Sequence, residues 1–307
     1  MTAPLRLGTR ASALALAQSG HVADALRRLG VAVEVVPLST PGDGESAPLA
    51  GRAHEGIFVS SVRDALIDGA IDLAVHSYKD VPTDPADGLV VAAVPEREDP
   101  RDTVVSRGPG LAALPAGAIV GTCSVRRAAW VHRVRPDLQV APIRGNIDQR
   151  VALVRDGRYD ATLLAAAGLN RLGCGAPAVE VIALTDLVPA PAQGALALEC
   201  RAVDTATRMA LHALDHHGTH AAATAERALL AAIDPSDGTA VGAVALLRGR
   251  VLHLLADLCE PDGSGRVVVR TRAFVGAGPV GLGQARALGL RTAGLLDGHR
   301  AAGAVAS

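Results

Sequence analysis

A chain of 307 residues, 49% hydrophobic and 20% charged, is long enough for two or three domains and too apolar for extended disorder. A formal net charge of −1 supplies no global field for nucleic acid or an acidic membrane, so any anion recognition must be local. Four scattered cysteines, with no CxxC pair, argue against a disulfide framework or zinc site, and no run reaches the roughly 20 apolar residues of a membrane span. In chain order, Leu5–Gly8 reads as a first strand. Leu14, Ala17, Val22, Ala25, Leu26 and Leu29 then repeat at helical spacing behind a Ser12 cap, and Gly30 stops the run. Residues 31–38 read as a strand, 57–67 as a helix broken at Gly69, and 71–75 as a short buried strand. Further strands are expected at 89–94, 119–121, 138–143, 161–165 and 195–199, with helices between several of them. From about Thr219 the pattern changes to a helix (222–233), three strands (241–247, 251–258, 267–271) and a last helix (282–296). The alternating part predicts α/β domains with largely parallel sheets, whose ligands usually bind at the carboxyl ends of strands; the last part predicts a small α+β domain. The N-terminal stretch, interrupted by Arg6, Arg10 and Gln18, does not read as a secretion signal, so a cytoplasmic protein with reduced thiols is expected; it is also expected to be a monomer.

Of 30 Lys plus Arg, all but Lys79 are arginine. Coding bias accounts for most of that, yet lysine alone among the two offers a compact charge with a movable pKa. Lys79 lies in His76-Ser77-Tyr78-Lys79-Asp80, at the end of a buried strand, where consecutive polar side chains suit the mouth of a cleft. A solvated Lys79–Asp80 surface pair is the competing reading. Gly121-Thr122-Cys123-Ser124-Val125-Arg126-Arg127 follows another strand and opens a helix, a place whose free N–H groups attract anions. Thr122, Ser124, Arg126 and Arg127 can jointly hold a carboxylate or phosphate there; two solvated arginines at a helix start are the alternative. Arg144-Gly145-Asn146 with Arg150, then Arg171, then Arg10 with Ser12 after the first strand, repeat the theme. Together they suggest a ligand with many carboxylates.

The segments LRLGTRASALALAQ, IDLAVHSYKDVP, EREDPRD, LPAGAIVGTCSVRR, RPDL, IRGN, AAAGLNRLG, PAQGALALECR and TAERALL resemble, in order and spacing, those of porphobilinogen deaminases (hydroxymethylbilane synthases) across nearly all of positions 4–235. The resemblance implies two type II periplasmic-binding-protein-like domains with a cleft between them and a small α+β C-terminal domain. Expected boundaries are 1–95 plus 195–213, 100–190, and 217–307. It implies porphobilinogen as substrate, a linear oligopyrrole as product, and a dipyrromethane cofactor tied to a cysteine. Asp80 corresponds to the catalytic carboxylate, with Lys79 beside it. Arg10, Ser12, Lys79, Ser124, Arg126, Arg127, Arg144, Arg150 and Arg171 match residues that hold acetate and propionate arms, and Gln193 and Gly194 match the loop lining the same cleft. Ser77, Thr122, Gly145 and Asn146 join this set from the local pattern.

Two departures stand out. In the loop at 234–242 Asp237 occupies the place of the anchoring cysteine, and a pyrrolylmethyl ester at a carboxylate would ionise back readily, so covalent priming is in doubt and the cofactor is expected to be non-covalent or absent. Glu55 replaces a lysine before Phe58, which weakens attraction for an acidic substrate unless a protonated His54 offsets it. Cys123 is a second conceivable attachment point, against a thiol facing the sheet. Two functions remain open on the residues alone: an enzyme condensing porphobilinogen to hydroxymethylbilane or a shorter product, or a weak or silent protein that binds porphobilinogen or an oligopyrrole.

Overall fold

A computed structural model describes residues 3–38, 54–173, 179–233 and 238–305. The chain runs β1 (Leu5–Arg10), α1 (Ala13–Arg28), β2 (Val33–Leu38), α2 (His54–Ile67), β3 (Leu73–Ser77), β4 (Leu89–Ala93), β5 (Asp102–Ser106), β6 (Ile119–Gly121), α3 (Val125–Val134), β7 (Gln139–Ala141), α4 (Ile147–Arg155), β8 (Ala161–Ala165), α5 (Ala166–Leu172) and β9 (Val179–Val181). It continues through β10 (Leu196–Arg201), α6 (Thr205–His212), α7 (His217–Ile233), β11 (Ala240–Arg248), β12 (Val251–Cys259), β13 (Val267–Phe274) and α8 (Gly278–Val305). Two compact units result: Met1–Glu98 with Ala195–His220, and Asp99–Gly194 with Ala221–Ser307.

In the first unit the sheet order is β2-β1-β3-β10-β4. β1 runs parallel to β2 and β3, whereas β10 lies antiparallel between β3 and β4. Leu7, Leu73 and Leu198 of the sheet and Val22, Leu26 and Leu211 of the helices form its core. α1 starts where Ser12 Oγ accepts from the Ala15 N–H at 3.4 Å and ends with Arg27 and Arg28, which suit the negative end of its dipole.

The second unit repeats the plan as β7-β6-β8-β5-β9, with β5 antiparallel between β8 and β9. Val104, Val120, Trp130 and Leu163 are buried in its core. In each five-stranded sheet the reversed strand is the first one reached after the chain crosses from the other unit. The expected parallel character thus holds for four strands of five. A third, antiparallel sheet, β11-β12-β13, packs Leu252, Leu254 and Leu258 against Leu229 of α7 and Leu288 and Leu296 of α8. Gly242 lets β11 approach a neighbouring backbone, because a Cβ there would lie 2.6 Å from the Val188 carbonyl oxygen. This is the α/β plan with a small α+β part that the sequence implies.

The sequence reading lacks β5, β9 and α6 and starts α7 five residues late. All five residues of β5 are buried, so they show no alternation to read. α6 is short and owes its start to Asp204, whose carboxylate accepts from the Thr207 N–H (3.0 Å) and hydroxyl (2.9 Å).

Candidate active site

In the first unit the carboxyl ends of β1 and β3 share one edge of the sheet, since the two strands are parallel. Arg10 closes β1 and Ser12 caps the helix that follows. β3 ends at Ser77, and a single 3-10 turn, Tyr78–Asp80, carries Lys79 and Asp80. Tyr78 is buried, with its N–H on the Ala195 carbonyl at 3.0 Å, while Lys79 is half-buried and Asp80 exposed. Among the described residues, no hydrogen bond or ion pair engages the Asp80 carboxylate.

Behind that turn sit groups to which the sequence reading gave no role at the site. Gln18, 4% exposed, donates to Ser77 Oγ at 3.0 Å. Glu199 of β10 is 2% exposed and takes a forked hydrogen bond from Arg63 of α2, with distances of 2.9 to 3.2 Å. His76 Nε2 lies 3.2 Å from Glu199 Oε2, off the line of a good hydrogen bond. Burial alone would push the Glu199 carboxyl up; contacts with His76 and Arg63 overcome it and hold the group at about 2.

In the second unit β6, β7 and β8 are parallel, so the turns after them again share one edge. Thr122 Oγ1 accepts from the Ser124 N–H at 3.1 Å, and Ser124 caps α3, with the Arg127 N–H 3.5 Å from its Oγ. Arg126 and Arg127 are buried, and the carboxylate they hold is Asp102 of β5, itself fully buried. Arg126 Nη1 is 2.7 Å from Asp102 Oδ2, and Arg127 reaches Oδ1 through Nε at 3.0 Å and Nη2 at 2.7 Å. Gln193 adds a donor to the same Oδ1 at 3.1 Å and another bond to the Pro100 carbonyl at 2.8 Å. Arg126 and Arg127 also reach the carbonyls of Val188 and Leu163. Burial draws the Arg126 pKa below its ordinary value; Asp102 opposes that shift and the Arg127 charge adds to it.

Arg144 is exposed after β7. Gly145 adopts φ +98°, a conformation a side chain would resist, and Asn146 caps α4, its N–H on Gln149 Oε1 at 2.8 Å. Arg150 Nε donates to the Gly145 carbonyl at 2.8 Å. Burial lowers its pKa, the nearby Arg127 charge lowers it further, and Cys123 acts in the opposite sense. Arg127, Arg150 and Cys123 therefore form one electrostatic neighbourhood. The Cys123 thiol is exposed and donates to the Ile143 carbonyl at 3.2 Å, so it does not face the sheet core. Arg171 of α5 donates to the Gly194 carbonyl at 2.7 Å. Ala192, at φ +62°, is held there by its N–H on the buried Glu226 carboxylate at 2.6 Å. Asp237 and the side chains of His54, Glu55 and Phe58 lie outside the described residues.

A family model described as "Porphobilinogen deaminase, dipyromethane cofactor binding domain" matches residues 5–209. The chain belongs to the porphobilinogen deaminase family. Within that family, the porphobilinogen deaminase of Nocardia farcinica is 50% identical over 243 residues, covering 79% of this chain and 70% of that one. The porphobilinogen deaminase of Thermobifida fusca is 45% identical over 296 residues, covering 95% and 92%. Among solved structures, a probable amino-acid ABC transporter extracellular-binding protein from Bacillus subtilis aligns with a TM-score of 0.42 at 10% identity, over 70% of this chain and 90% of that one, a likeness too distant to inform function. Porphobilinogen deaminases (hydroxymethylbilane synthases) are transferases of porphyrin biosynthesis, and no described helix of this member is long and apolar enough to cross a membrane.

Proposed function

We propose that this chain deaminates porphobilinogen and condenses it head to tail into a linear oligopyrrole, hydroxymethylbilane or a shorter product. The observation that carries the reading is the exposed Asp80 carboxylate, unengaged among the described residues, at the carboxyl end of β3, in a chain 45–50% identical to porphobilinogen deaminases. Loss of ammonia from the substrate breaks a carbon–nitrogen bond, and the pyrrole nitrogen takes up the positive charge. Asp80, accepting a hydrogen bond from that pyrrole N–H, stabilises the charge as it develops. Lys79, Ser77, Arg10 and Ser12, at the same sheet edge, bind and orient the acetate and propionate arms. In the second unit that task falls to Thr122, Ser124, Arg126, Arg127, Arg144, Gly145, Asn146, Arg150 and Arg171, with Gln193 and Gly194 setting the loop. We also assign residues 100–190 and 217–307 of that unit to separate domains, and the chain to a cytoplasmic monomer. A binding-only role has Asp237 and Glu55 on its side, but the kinship with porphobilinogen deaminases favours the enzyme.

The family's dipyrromethane supplies a ready acceptor for the first substrate unit. The arginines and hydroxyls of the second unit fit its carboxylates, and Arg126 and Arg127 meet a carboxylate already, that of Asp102. The covalent part does not fit: Asp237 carries no thiol, and we infer that any pyrrole present is held without a thioether. Mass spectrometry of the intact protein tests this. A pyrrole adduct seen under native conditions is expected to disappear on denaturation, and an adduct surviving denaturation would overturn the inference. For Asp80 the test is Asp80→Asn with porphobilinogen, following ammonia release alongside binding by calorimetry. Release is expected to collapse while binding persists.

A further inference from the structure

The chemistry proposed above requires Asp80 to sit still, yet among the described residues no hydrogen bond or ion pair holds its carboxylate. Its placement must come from the backbone behind it, which is the end of β3. That strand end is tethered on three sides. Gln18 of α1 holds the Ser77 hydroxyl, the Ala195 carbonyl takes the Tyr78 N–H, and Glu199 of β10 faces His76.

The third tether is the unusual one. A carboxylate 2% exposed is costly in lost hydration unless it is paired, and an apolar residue of similar size would stabilise the sheet as well. Arg63 supplies the pairing from α2, a forked contact across 136 positions of sequence. The pair joins α2 to β10, and its carboxylate lies 3.2 Å from His76 Nε2 of β3, one residue short of Ser77 and four short of Asp80. A buried ion pair of this kind is better suited to fixing a geometry than to adding stability.

We propose that Glu199, oriented by Arg63, is a positioning residue for the reaction: through His76 it fixes the end of β3 and so the attitude of the turn that carries Lys79 and Asp80. The inference rests on the deaminase reading for its kinetic consequence but not for its structural one. Glu199→Gln keeps the size of the side chain and removes the charge. It is expected to lower kcat for ammonia release at least 10-fold while KM rises by a smaller factor, since Ser77 and Lys79 shift with the turn but the other arm-binding side chains stay in place. Glu199→Asp, which restores the charge one methylene short, should recover part of the loss. Should Glu199→Gln fail to fold, Arg63→Gln, half-buried at the helix surface, takes its place with the same expectation.

Hydrogen exchange supplies the readout that does not need turnover. Amides of residues 77–81 should exchange at least 10-fold faster in either variant, while those of β12 keep their parent rates. If the parent chain releases no ammonia from porphobilinogen, the functional reading falls and exchange alone judges the tether. A folded variant with parent kcat and parent exchange at 77–81 would overturn the proposal.

Discussion

Asp80 and Asp102 each stand at a strand terminus near arginine-rich turns, and they are treated in opposite ways. Asp80 is exposed and, among the described residues, unengaged; Asp102 is fully buried between two guanidiniums and a glutamine amide. A carboxylate meant to meet a transient cation must keep its lone pairs available. One meant to hold Arg126 and Arg127 in a fixed orientation must give them away. The first unit therefore leaves a charge open and braces the backbone beneath it, whereas the second spends a charge internally to shape a basic edge.

The sharpest way to break this comparison is Asp102→Asn. It leaves two buried guanidiniums without their counter-charge, and a loss of about 3–5 kcal/mol in urea unfolding is expected. Asp80→Asn should do the reverse: stability within about 0.5 kcal/mol of the parent, because the group is exposed, and ammonia release slower by roughly 100-fold or more. If Asp80→Asn unfolded the protein as Asp102→Asn does, the two carboxylates would not be separable in role.

The smallest expected effect is pH-dependent. Glu199 and Asp72, both in the first unit, stand at about 2 in the fold, below the ordinary values of roughly 4 that they regain on unfolding. For Asp72 burial opposes the shift and hydrogen bonds from Arg6 and Arg201 produce it. The folded state then binds fewer protons than the unfolded one. Their contribution is whole above about pH 4.5 and is lost as pH falls towards 2. Hydrogen exchange between pH 5 and 3 should show first-unit amides losing protection ahead of those in β12. Equal loss in both units would count against placing the acid-sensitive pairs in the first.

Much of the edge was legible in the sequence because its signals are local. Lys79 and Asp80 stand out as charges immediately after a buried strand, and Arg126 with Arg127 as paired cations opening a helix. Their partners were not legible. Asp102 lies in a strand too buried to alternate, and Arg63 meets Glu199 across 136 positions, so neither pairing leaves a trace at helical or strand spacing. Gln18 read as an interruption in an apolar stretch, when its amide in fact serves Ser77. Glu226 sat in view within TAERALL, but its two acceptors, for the Ala192 and Ala245 N–H groups at 2.6 Å each, depend on a tertiary fold.

β10 lies between β3 and β4, though more than a hundred residues follow β4 before it is made. On a ribosome the N-terminal lobe is thus begun first and completed second. Until residue 201 emerges, β3 and β4 each present a bare edge, while the lobe holding β5 to β9 already has every strand it needs. A chain cut off after residue 190 and released would carry one finished sheet and one waiting with a gap in its middle.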